Sequence, residues 1–159
     1  MDSFMNDAEQ LDDMTMLALH LREPSEVFET TADADQTVKV SDFVEALLEK
    51  NACPAKVIHQ ALIAVDEIFS NIVRYSGAKK AVVRCLVTDD AVTLEFEDDG
   101  KAYNPLAKAD PDVTAPREER EIGGLGIFVV KKMMDGMQYN YKNGRNILTI
   151  KKECHNPAK

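Results

Sequence analysis

Three short stretches of this chain carry residue types that could do chemistry. Gly123-Gly-Leu-Gly126 stands directly before an apolar run, IFVVKKMMD. Glycines at a helix start offer backbone N–H groups and the positive end of the helix dipole with no side chain in the way, which suits a phosphate. Three glycines in four residues also suit a tight loop. The run follows a charged loop rather than a strand, and no G-x-x-x-x-G-K-[ST] occurs, so neither a dinucleotide fingerprint nor a P-loop fits.

The second stretch is LEFEDDG, residues 94–100. In a strand, Val92, Leu94 and Phe96 face one way and Thr93, Glu95 and Glu97 the other, so Asp98 continues the apolar face. A carboxylate directed at a core is costly unless something donates hydrogen bonds to it. The amino group of a ligand would do so, and Gly100, lacking a β-carbon, lets a ligand approach the backbone. Asp-Asp-Gly is equally a turn sequence, in which case the strand simply ends there. The third stretch is DEIFSNIVRYSG, residues 66–77, where Glu67 and Asn71 lie four apart and Arg74 three further on. On a helix they share a flank beside the apolar stripe, either facing a partner or forming a solvated edge.

These stretches need elements to hold them. Residues 13–21 alternate in the manner of a strand before Pro24, and Val27–Thr31 is a short strand candidate. Val40, Phe43, Val44, Leu47 and Leu48 predict a helix over 34–50, closed by Asn51-Ala-Cys-Pro54. A second helix runs from Pro54 to Tyr75, with Val57, Ala61, Ala64, Val65, Ile68, Ile72 and Tyr75 as its apolar stripe, and Gly77 ends it. Strands at 80–87 and 92–97 flank a short hairpin connection, and an irregular, proline-containing loop covers 100–122. After the glycine-led helix, strands at 137–142 and 146–152 meet at Asn143-Gly144. This order predicts an α+β two-layer sandwich, with helices on one face of a mixed, mostly antiparallel sheet.

Composition narrows the class. At 159 residues and 45% hydrophobic content the chain supports one domain with an appendage. Of 28 acidic and 19 basic residues, residues 1–35 hold ten and one, leaving eighteen of each sign in the remainder. A neutral remainder without basic clusters argues against a nucleic-acid surface. Cys53, Cys85 and Cys154 show no C-x-x-C or metal-ligand spacing, which predicts reduced thiols in a cytoplasmic protein. Neither a signal peptide nor a membrane-spanning run is evident.

The ordered boxes DEIFSN, EDDGKAYNP, IGGLGIF and LTI closely resemble the Bergerat-fold (GHKL) ATP-binding domain over roughly residues 25–152, and more narrowly its anti-sigma-factor serine/threonine kinase branch. The resemblance implies Mg-ATP as cofactor, Glu67 as general base and Asn71 as magnesium ligand. It implies that Asp98 accepts from the adenine amino group, with Gly100 and Ala102 in the same box. Gly123, Gly124 and Gly126 would meet the triphosphate, Thr149 would lie near adenine, and residues 103–122 would form a lid over ATP. The implied reaction is phosphoryl transfer to a STAS-type anti-sigma-factor antagonist, with a sigma factor as a further partner. Members often pair, implying a homodimer, although no interface is legible in the residues. His20, His59 and His155 lack a dimerisation helix pair, which disfavours a histidine kinase.

Residues 10–22, QLDDMTMLALHLR, resemble the last strand of a sporulation-type PPM phosphatase, with Asp12 and Asp13 matching its D-D-x-T element. On that resemblance residues 1–24 are the remnant of a phosphatase domain, 25–152 the ATP-binding domain and 153–159 a tail. The other metal-binding carboxylates are absent, so no phosphatase activity and no preformed manganese site are expected. The chain is then a piece of a larger phosphatase–kinase-like protein or the relic of such a fusion; an acidic arm is the alternative. The competing function is a non-catalytic, ATP-responsive module that sequesters a sigma factor or regulates a fused phosphatase.

Overall fold

A computed structural model describes residues 24–111, 114 and 124–154. Strand β1 (Glu26–Thr31) leads through a 3-10 turn (Ala34–Gln36) into helix α1 (Thr37–Lys50), then helix α2 (Ala55–Asn71), which continues as a π turn (Ile72–Ser76). Strands β2 (Lys80–Val87) and β3 (Ala91–Asp98), helix α3 (Leu125–Met133) and strands β4 (Gly136–Lys142) and β5 (Arg145–Glu153) complete the described elements. The expected strand over 13–21, the phosphatase-like Asp12 and Asp13, Gly123 and half of the expected lid lie outside the described residues.

The sheet order is β1-β2-β3-β5-β4. Every one of these pairings is antiparallel, so the mixed component expected from the element order is not found among the described strands. Each hairpin follows from local chemistry. Asn143 and Gly144 both take positive φ, 54° and 73°, as a tight right-twisting connection requires, and this sets Lys142 opposite Arg145. The Thr88 N–H donates to the Ala91 carbonyl at 2.9 Å and closes the β2–β3 turn.

The helices bury one stripe each against one face of the sheet. Val40, Val44 and Leu48 of α1 are fully buried, with Phe43 and Leu47 packed at the border. On α2 the stripe is Val57, Ala61, Ala64, Val65, Ile68 and Ile72. The Pro54 carbonyl opens this helix by accepting from the Val57 and Ile58 N–H groups at 2.8 and 3.1 Å. Gly77, at φ 67°, ends the π turn that follows. Tyr75 departs from the expected stripe and is 47% exposed. The sheet answers with Val83, Cys85, Leu94, Phe96, Leu148 and Ile150.

The opposite face carries charge. Arg84 donates to Glu95 and Glu97, each at 2.8 Å, and Arg145 pairs with Glu97 at 3.2 Å. Burial pushes the Glu95 carboxyl up, against the pull of Arg84. The three cysteines are free, as their spacing predicted. Burial pushes the Cys53 and Cys85 thiols up to about 11 and about 12, which suppresses the reactive thiolate.

Candidate functional site

The C-terminal end of α2, the end of β3 and the start of α3 enclose two adjoining cavities. The inner one has apolar walls from Ile68, Phe96, Ile127 and Leu148, and a polar end made by Asp98 and Asn146. The outer one is lined by Asn71, Lys108, Asp110, Gly124, Phe128 and Lys131. Asn71, Tyr103, Pro105 and Ile127 border both. An apolar slot with an acceptor at one end and cationic side chains with helix N–H groups at the other fits a flat, polar-edged ring carrying a polyanion.

Asp98 is 4% exposed and points to the apolar face, as strand alternation predicted. Its Oδ1 accepts from the Gly100 N–H at 2.9 Å and from Asn146 Nδ2 at 3.0 Å. The turn reading of Asp-Asp-Gly belongs to the neighbouring residue. Asp99 Oδ1 accepts from the Lys79 and Lys80 N–H groups at 2.7 and 2.9 Å, and the Lys80 contact is the largest influence holding Asp99 below the usual carboxylate range. Gly100 is required by close approach, because a β-carbon there would overlap the Ser76 carbonyl and Asp98 Oδ1. That contact locks β3 to the π turn, where the Lys101 N–H donates to the Ser76 carbonyl at 3.0 Å.

At the other end, Asn71 Nδ2 donates to Glu67 Oε1 at 2.9 Å, so the shared flank is a bonded pair. Arg74 does not join them; it is exposed on the π turn and lines neither cavity. Gly124 takes φ 99° as the N-cap of α3 and lies near the Lys108 side chain. Its carbonyl accepts from the Phe128 N–H at 3.1 Å, which leaves the N–H groups of residues 125–127 for a ligand. Gly126 packs directly on the Glu67 carboxylate, and an added β-carbon would overlap it. Glu67, 59 residues earlier in the chain, is thereby pressed against the start of α3. Lys131 pairs with Asp110 at 3.1 Å across the outer cavity.

Gly126→Ala separates stability from chemistry. Alanine favours the helix by about 1 kcal/mol over glycine, and the obstructing atom is the end of a flexible side chain. We expect a melting temperature equal to or slightly above the parent's, with nucleotide-dependent turnover reduced about tenfold or more as Glu67 is displaced. Calorimetric melting beside an activity assay checks both, and unchanged turnover would sever Glu67 from the chemistry.

A hard divalent cation takes oxygen ligands. Asn71 spends its nitrogen on Glu67, which leaves the carbonyl Oδ1 without a partner among the described residues, beside both cavities. That is one oxygen of the kind a magnesium ion accepts; among the described residues no cluster of three or more His, Cys, Asp or Glu side chains could hold a metal ion.

Two expected site residues are elsewhere. Thr149 pairs with Glu95, on the charged face of the sheet away from both cavities; strand alternation forbids it from sharing a face with Leu148 and Ile150. Ala102 is exposed and lines neither cavity. The residue at the polar end is instead Asn146, directly opposite Asp98, and Tyr139 hydrogen-bonds to it. Asn146 has the core parity of Leu148 and Ile150, a polar residue where an apolar one is expected. That signal was readable in the sequence.

The histidine kinase-like ATPase domain family matches residues 30–152. A serine/threonine-protein kinase BtrW of Bordetella bronchiseptica is 23% identical over 130 residues, 79% of this chain and 92% of that protein. An anti-sigma F factor of Caldanaerobacter subterraneus is 27% identical over 88 residues, 54% of this chain and 62% of the relative. A serine-protein kinase RsbW of Listeria monocytogenes is 26% identical over 104 residues, 60% and 66% respectively. In structure, the chain is similar to the RsbU and RsbW domains of a Mycobacterium tuberculosis protein, with a TM-score of 0.59 at 14% identity. That likeness covers 86% of this chain and 34% of the other, and concerns the fold.

Proposed function

Because the chain belongs to the histidine kinase-like ATPase domain family, we propose that it is an ATP-binding serine/threonine protein kinase domain of the anti-sigma-factor type. Its substrate is a STAS-type anti-sigma-factor antagonist, a sigma factor is its second partner, and it works in the cytoplasm. The observation that carries this reading is the pair of adjoining cavities running from Asp98 to Asn71, whose Nδ2 bonds Glu67, a residue outside both linings that is packed on Gly126. The names of the kinase and anti-sigma relatives support it. Among the described residues no helix is long and apolar enough to cross a membrane.

In this reading the adenine ring enters the inner cavity and its amino group donates to Asp98. Gly124 and Gly126 leave the first-turn N–H groups of α3 open to the triphosphate, and Lys131 adds charge once it leaves Asp110. Asn71 Oδ1 would hold magnesium, which supplies charge neutralisation on the phosphate oxygens when bound. Glu67 accepts the proton of the incoming hydroxyl through the oxygen that Asn71 does not occupy. Catalysis is chiefly positioning, which accounts for two helix termini meeting at one point.

The test is transfer of labelled γ-phosphate from Mg-ATP to a candidate STAS protein. Label on a serine or threonine of that protein supports the kinase. Partner binding without transfer favours the non-catalytic binding module, the reading nearest in name to the anti-sigma F relative.

A further inference from the structure

Asn146 is 5% exposed, and every hydrogen-bonding site on its amide is taken. Oδ1 accepts from the Tyr139 hydroxyl at 2.6 Å and from the Tyr103 N–H at 2.9 Å. Nδ2 donates to Asp98 Oδ1 at 3.0 Å and to the Lys101 carbonyl at 2.9 Å, with the Gly100 carbonyl at 3.5 Å. The main-chain partners fix which end is oxygen and which nitrogen, since an N–H only donates and a carbonyl only accepts. One side chain therefore joins β3, β4, β5 and the first residues of the loop over the cavity.

The consequence falls on Asp98. Gly100 and Asn146 both occupy Oδ1, while Oδ2 has no partner among the described residues and the residue lines the inner cavity. A carboxylate held by one oxygen cannot roll to offer a different face. We propose that Asn146, braced by Tyr139, is a positioning residue that pins Asp98 so that its free oxygen reads the 6-position of a bound purine, favouring a 6-amino over a 6-oxo group. The proposal rests on the nucleotide reading above.

Its physical basis is the acceptor-only character of a carboxylate. A 6-amino group donates to Oδ2, whereas a 6-oxo group sets lone pairs against a negative charge that is pinned and has no room to turn. Release the pin and the carboxylate can rotate or admit a water, so the oxo base is no longer rejected as strongly. Burial, the largest influence, moves the Tyr139 hydroxyl further above its ordinary value, so it remains a donor at neutral pH. Tyr139 therefore holds Asn146 in the orientation that presents Nδ2 to Asp98.

Isothermal titration of the full chain with Mg-ATP and Mg-ITP, on the parent, Tyr139→Phe and Asn146→Ala, tests this. We expect the parent to prefer ATP by about thirtyfold or more, the range of a hydrogen bond to a charged group. Asn146→Ala should lose about tenfold in ATP affinity with ITP within about twofold, collapsing the ratio, and Tyr139→Phe should narrow it about threefold. Equal weakening of both nucleotides, or an unchanged ratio, overturns the proposal and leaves ATP binding intact. A parent that binds neither nucleotide removes the nucleotide reading and the proposal together. If Asn146→Ala does not fold, Tyr139→Phe, which deletes one hydroxyl, decides alone.

Discussion

Glu67→Gln is expected to bind ATP within about threefold of the parent, or slightly tighter, while phosphoryl transfer to the acceptor protein falls about a thousandfold, within the range a positioned base contributes. Glutamine copies the shape of glutamate, so it can sit against Gly126 as the carboxylate does. Its carbonyl oxygen can still accept from Asn71 Nδ2, the 2.9 Å contact that holds the pair. What is lost is a proton acceptor and one negative charge beside the phosphates. Removing that charge lessens repulsion of the polyanion, which sets the sign expected for affinity. Calorimetry with Mg-ATP and single-turnover transfer of labelled phosphate give the two numbers. A parallel fall in both would make Glu67 a binding or packing residue, and undiminished transfer would end its role as base.

The elements that hold Glu67 were legible because their signals are local. The α2 stripe from Val57 to Ile72 follows one helical period, and the Asn143-Gly144 pair can adopt its two positive φ values cheaply. The reading failed where α2 changes geometry. In the π turn at Ile72–Ser76 the residues advance by a smaller angle each, so a 3.6-residue count carried Arg74 onto the flank of Asn71 and Tyr75 into the stripe. Both point elsewhere. Tyr75 instead lies 6.5 Å, ring to ring, from Tyr103 at the cavity mouth. Nothing in the residue types announces the π turn; it is closed by Gly77 and by Ser76 Oγ donating to the Ile72 carbonyl at 2.9 Å.

The site was half legible for a related reason. Asp98 and Glu67 stood out because a carboxylate at core parity and a bonded polar pair beside an apolar stripe are local anomalies. A three-residue box such as LTI carries no parity of its own, and the strand turns Thr149 toward Glu95. Asn146 is a local anomaly of the same kind, polar at core parity, but its partner required a non-local fact, the β3–β5 register that sets it opposite Asp98 across 48 residues. The meeting of Gly126 with Glu67 is non-local in the same sense: the glycine reads as a phosphate loop, and only packing reveals that it also seats the carboxylate.

Asp98→Asn is expected to weaken ATP binding about a hundredfold, equivalent to about 2.7 kcal/mol, with little change in melting temperature. Asparagine can keep its carbonyl oxygen where Asp98 Oδ1 now lies, accepting from the Gly100 N–H and Asn146 Nδ2, so the local frame survives. Its nitrogen then replaces Oδ2 and offers a donor to the cavity. An adenine amino group would meet that donor head-on, losing a charge-assisted hydrogen bond and gaining a repulsion in a slot walled by Ile68, Phe96, Ile127 and Leu148. Those apolar walls exclude the water that would otherwise soften the mismatch. For the same reason a 6-oxo purine should bind as tightly as to the parent or up to about tenfold tighter, because its carbonyl accepts from the new donor. Titrating ATP and ITP into the folded variant separates the two effects. Equal losses would mean that Asp98 serves the frame and not the base, and an ATP affinity equal to the parent's would remove adenine from this end of the recess.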